Sequence, residues 1–143
     1  MFKRRHLIWL ALALSMAPGC GGARIDPPAE VARSALDSAL AAWRDGKTPA
    51  DLAGATPSVQ VVDHDWTLGR KLRGFEVLRA EPSTADKRFA AKLDLDAPAA
   101  TAEVVYVVVG TDPVAVYRLE DYERTLNMDD GPAAAKPKAK RRR

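Results

Sequence analysis

Apolar residues along this chain recur first at helical spacing and then, from residue 58, at alternate positions, so a helical segment should precede a sheet. In "DPPAEVARSALDSALAAWRDGK", Val31, Ala32, Ala35, Leu36, Ala39, Leu40 and Trp43 fall on one stripe, with Glu30, Arg33, Asp37 and Arg44 opposite. The punctuation is that of a helix. Asp26 can cap the start, Pro27 suits a first position that needs no amide hydrogen, and Gly46 suits a left-handed stop. An exposed Arg33–Asp37 pair adds only a few tenths of a kcal/mol, roughly, so this helix depends on docking its stripe. "TPADLAG" repeats the pattern in miniature: Thr48 caps, Asp51 follows three residues later, and Gly54 closes a short helical turn.

In the second half, "KRFAAKLDLD" alternates most cleanly, with Phe89, Ala91, Leu93 and Leu95 facing one way and Arg88, Lys92, Asp94 and Asp96 the other. "AEVVYVVVG" is apolar on both faces from Val104 to Val109, as a central strand covered on two sides would be. "GTDP" then predicts a tight reversal into a short antiparallel strand, "VAVYR". Two earlier strands are expected in "SVQVVDHDW" and "LRGFEVLRAE", separated by Leu68, Gly69 and Arg70, and Gly74 can mark a bulge. "LEDYERTLN" closes the fold as a short helix or turn. The predicted class is α+β: one long amino-terminal amphipathic helix packed on a curved antiparallel sheet of four to five strands.

The amino-terminal residues follow a different pattern: Lys3, Arg4 and Arg5, then "LIWLALAL", then small residues up to Cys20, the only cysteine of 143 residues. That is the layout of an export signal, and its apolar run is far short of the roughly 20 residues that span a bilayer. A twin-arginine signal is a further reading of Arg4 and Arg5 followed by Leu7 and Ile8. "APGC" resembles a bacterial lipobox, in which the cysteine is lipidated on sulfur and becomes the first mature residue; this chain has Ala17 where an aliphatic residue is usual, and Pro18 after it. The resemblance implies a signal peptide over 1–19, a tether over 20–26, and a lipid anchor on Cys20 facing the periplasm or exterior. A soluble secreted protein and an uncleaved signal anchor are the alternatives.

Charge sharpens this division. The chain carries +3 overall, with 22 basic and 19 acidic side chains. Yet residues 20–135 hold 13 of those basic residues against all 19 acidic ones, a net −6. The "GPAAAKPKAKRRR" end supplies +6 through Lys136, Lys138, Lys140, Arg141, Arg142 and Arg143. Residues 128–143 cannot bury enough apolar surface to offset their ordering entropy, so they are expected to be a disordered basic tail. It can meet the chain's own acidic surface, anionic lipid or an envelope polymer. With no aromatic residue among these bases and with export expected, nucleic acid is not an expected partner.

The helix ending in "AWRDGK", the "TPADL" turn and the meander closing with "YVVVGTDPVAVYRLEDY" resemble the cystatin-like cone, the superfamily of nuclear transport factor two and ketosteroid isomerase. More narrowly, the chain is similar to uncharacterised bacterial lipoproteins with such a domain, here spanning 27–127. The resemblance implies a ligand-binding, dimerising or catalytic cone and does not choose among these. A homodimer through the sheet is one outcome it allows.

Candidate chemistry is sparse. In "DHDW", Asp63, His64 and Asp65 place two carboxylates beside the one histidine of the mature chain. On a strand, Asp63 and Asp65 would share a face and His64 would take the other, so convergence needs a bulge. Tyr106 and Tyr117 could line a pocket with them. An isomerase- or dehydratase-type enzyme built on this region is therefore the alternative to a non-catalytic binding or assembly module. A lone histidine with carboxylates is not a metal motif, "GRKLRGF" lacks the ending of a phosphate loop, and no serine sits in a nucleophile elbow. No cofactor is implied.

Overall fold

The computed structural model describes residues 26–129. The expected export signal, Cys20 with its expected lipid, most of the expected tether, and the part of the expected basic tail from residue 130 on, Lys136 to Arg143 included, lie outside the described residues. The elements in chain order are α1 (Ala29–Arg44), α2 (Pro49–Ala53), β1 (Val59–Val62), α3 (His64–Thr67), β2 (Lys71–Glu81), β3 (Lys87–Asp96), β4 (Ala100–Val109), β5 (Val114–Arg118) and α4 (Leu119–Asp129). The class is α+β, with a five-stranded open sheet in the order β1-β5-β4-β3-β2.

Two expectations are corrected. The helical part is not a single long amino-terminal helix: beside the 16-residue α1 stand α2 and α4, whose residues the sequence already marks as helical turn or short helix, and α3, which it does not. The sheet is also mixed: β2 to β5 form an antiparallel meander, but β1 pairs parallel to β5, Val59 opposite Val114 and Val62 opposite Tyr117. The unforeseen α3 carries the chain from β1 to β2 at the opposite edge, so these strands are not neighbours. β1 pairs instead with the last strand.

α1 starts two residues later than its sequence signals. Its N-cap is Pro28, without a side-chain cap, and the Pro28 carbonyl accepts from the Ala32 amide at 2.9 Å. A proline disfavours helical geometry in the residue before it, so Pro27 cannot open the helix and Asp26 lies too far back to cap it. The far end follows expectation. Gly46 has φ +80, its amide donates to the Trp43 carbonyl, and the Lys47 amide donates to the Ala42 carbonyl, the pair of bonds that closes a left-handed stop. α2 carries the reciprocal Thr48–Asp51 capping box.

The core lies between α1 and one face of the sheet. Leu36, Leu40 and Trp43 of α1 meet Phe89, Leu93, Val104, Tyr106, Val108 and Val116, all buried. Each fully buried aliphatic side chain contributes roughly 1.5–3 kcal/mol. β4 is the middle strand, apolar on both faces because both are covered: Val107 points away from the α1 core, toward the side where α4 packs Tyr122 against Tyr117. A register shift between Leu72 and Gly74 is the bulge that Gly74 signals. Among the described residues no helix is long and apolar enough to cross a membrane.

Candidate functional site

The "DHDW" stretch leaves the sheet at once. Asp63 keeps extended backbone, φ −142 and ψ 119, and caps α3: its Oδ1 accepts from the Asp65 amide at 2.9 Å and the Trp66 amide at 3.2 Å. Its Oδ2 accepts from the Tyr106 hydroxyl at 2.7 Å. Both residues are 1% exposed. Tyr106 sits on β4 directly opposite Arg118 on β5, which brings the guanidinium to the same spot. Arg118 Nη1 donates to Asp65 Oδ2 and lies 3.6 Å from Asp63 Oδ1. Arg70 Nη1 reaches the other Asp65 oxygen at 3.4 Å.

Asp63, Asp65 and Tyr106 are thus brought together, while His64 and Tyr117 are not. His64 turns to α4, where its backbone amide and ring Nδ1 lie 2.9 and 3.0 Å from Asp121 Oδ2. A carboxylate only accepts, so Nδ1 carries the hydrogen. Asp121 is buried and also accepts from Arg124 at 2.8 Å. Tyr117 packs on Tyr122, its ring 5.4 Å away. Helical winding over 64–67, not strand alternation, parts His64 from the two aspartates.

Electrostatics agree with a closed cluster. Burial acts to raise Asp65, but the hydrogen bond and charge of Arg118, reinforced by Arg70, outweigh it and hold the carboxyl below its ordinary value. Burial, then the charge and hydrogen bond of Asp63, push the Tyr106 phenol well above its ordinary value. Burial acts to lower Arg118, yet the charge of Asp63 and the hydrogen bond to Asp65 raise it, so it stays cationic. A general base needs an accessible lone pair. Asp63 already accepts at both oxygens, and almost no surface of it meets solvent. Among the described residues no group of three metal-ligating side chains is arranged to hold an ion.

An open site lies beside the cluster. Trp43 of α1 and Trp66 of α3 stack with centroids 5.3 Å apart and planes 7° apart. Trp43 Nε1 donates to the Arg70 carbonyl at 2.8 Å and Trp66 Nε1 to the Lys47 carbonyl at 2.9 Å, so the indoles staple the loops before α2 and β2. A groove of about 550 Å³ opens over them, with Lys47, Arg70 and Lys71 among its lining residues and no acidic one. Its preformed walls and positive sign suit an anionic group on an apolar body.

The roles of Arg70, Arg118, Asp121 and the tryptophan pair are not apparent in the sequence. Arg118 left one faint signal, a lone cation closing an apolar strand in "VAVYR". No protein-family model, curated protein or solved structure matches this chain.

Proposed function

We propose that the protein is an exported lipoprotein, anchored to a bacterial membrane through lipid on Cys20, whose α+β domain is a non-catalytic binding or assembly module. The anchor rests on the "APGC" stretch and the short apolar run before it. The non-catalytic reading is carried by one observation: both oxygens of Asp63 already hold hydrogen bonds while the residue is 1% exposed. The chemistry-bearing residues then act as fold ties, and the open surfaces meet partners. These surfaces are the cationic groove over Trp43 and Trp66, the long edge strand β2 where a second copy can pair, and the basic residues Lys136 to Arg143 toward anionic lipid or envelope polymer. α1 laid on the β2–β5 meander supports the resemblance to the cystatin-like cone.

The alternative, an isomerase- or dehydratase-type enzyme, has the Asp63–Tyr106 hydrogen bond in its favour, since a carboxylate beside a phenol is suitable equipment. That bond would have to break to admit substrate. The anchor is tested by the intact mass of protein from the membrane fraction of the native host, beside a Cys20→Ser variant. A chain beginning at Cys20 with added lipid mass, lost in the variant, is expected. An unlipidated mature chain beginning elsewhere would overturn the lipoprotein reading.

A further inference from the structure

α1 buries its stripe with one exception. Val31 belongs to the apolar series by spacing, yet it is 47% exposed. It borders a groove of about 930 Å³ between α1, the chain entering β1, and the β4–β5 turn, with Ala35, Leu52, Val59 and Val114 as further apolar lining. Exposed Ser34 and Ser38 continue the wall, so the α1 side runs about 10 Å from Val31 to Ser38. None of the lining residues is basic, and Glu30 and Asp112 are acidic. A fatty acid or phospholipid would bring its own negative charge to these acids. An occupant with an aliphatic body and no anionic head fits.

The chain itself supplies such a group on the lipoprotein reading, on which this inference rests. Lipid joined to Cys20 through sulfur has an uncharged linkage. Cys20 is six residues before Asp26, a reach of up to about 20 Å. The groove begins at Glu30, in the first turn of α1. Arg24, within that connecting segment, has the sign opposite to Glu30 and Asp112. We propose that this groove holds one acyl chain of the Cys20 lipid while the protein is out of a bilayer. The groove shields apolar chain from water during transit and releases it where a membrane offers a larger apolar volume.

Photo-crosslinking of the full chain tests this. A p-benzoylphenylalanine residue is placed at Ser38, or at exposed Glu76 on β2 as a control, and the protein is extracted from membranes, depleted of detergent and irradiated. Mass spectrometry should find the lipidated Cys20 peptide joined to the α1 peptide, at least about ten-fold more than from position 76. Val31→Glu, at an exposed position, should lower that yield by about ten-fold. An α1 adduct of lipid mass without the Cys20 peptide would mean that the groove takes a foreign lipid, which overturns the proposal. So would absence of any adduct in a chain whose intact mass shows lipid on Cys20. If the intact mass shows no lipid there, the lipoprotein reading falls, and this inference with it.

Discussion

Asp63 ends β1, caps α3 and fixes the hydroxyl of Tyr106, all with one carboxylate, and Arg118 neutralises the charge that this buries. Such a cluster is sensitive to both ends of the pH scale, in opposite senses. Asp65 is held below its ordinary value, so its contribution is complete above the unfolded carboxylate pKa near about 4 and is lost as pH falls through the folded value. Tyr106 is pushed up, so its contribution is complete below about pH 10 and is lost as pH rises toward the folded value. Urea midpoints measured across pH should therefore fall below about pH 4 more steeply in the wild type than in Asp65→Asn, and above about pH 10 more steeply than in Tyr106→Phe. Parallel curves would remove the assigned causes. At Arg118 the effect is larger: Arg118→Ala leaves Asp63 buried without its cation, and the expected loss in urea unfolding is roughly 3–5 kcal/mol.

At the scale of elements, the ends of α1 and α2 make a controlled contrast between two glycines. Gly46 has φ +80 and open space where a Cβ would stand, so Gly46→Ala pays only for backbone geometry, about 1 kcal/mol. That lowers the thermal midpoint by roughly 4–8 °C for a domain of this size. Gly54 is in the right-handed helical region with ordinary contacts at 3.7 and 3.9 Å, so Gly54→Ala should be neutral or should raise the midpoint. Equal effects at the two sites would contradict the assigned stop.

Both glycines were legible in sequence because a helix stop and a capping box are local patterns. The alternation of Phe89, Ala91, Leu93 and Leu95 was legible for the same reason: one face of β3 is core and the other is wet. α3 was not. "VQVVDHDW" alternates like a strand, and what turns it is a cap whose carboxylate is held in place by Tyr106 and Arg118, 43 and 55 residues further on. The parallel pairing of β1 with β5 was hidden for a related reason, since it depends on the chain crossing to the far edge before the meander begins.

Across the whole molecule, the ties at Asp63 and Asp121 join parts that share no backbone hydrogen bonding with α3. Asp63 fastens α3 to the middle of the sheet through β4, and Asp121 fastens α4 to α3 through His64. Among the described residues, one groove lies at the last turn of α1 over the paired tryptophans and another runs along α1 from Glu30 to Ser38. Of the proposed site residues, Asp63, Asp65 and Tyr106 were found in sequence by their chemistry, but their convergence has a structural use there, and the open grooves had no motif to announce them.

The claim that these residues act as a fold tie is tested most directly by a double-mutant cycle on the full chain, with Asp63→Ala, Tyr106→Phe and both together, read by urea unfolding. Each single change should destabilise by roughly 1–3 kcal/mol, with a coupling of about 1 kcal/mol or more, because each leaves a buried polar partner unsatisfied. Single variants at wild-type stability, adding to within about 0.5 kcal/mol, would contradict the tie and return Asp63 to the list of residues kept for chemistry.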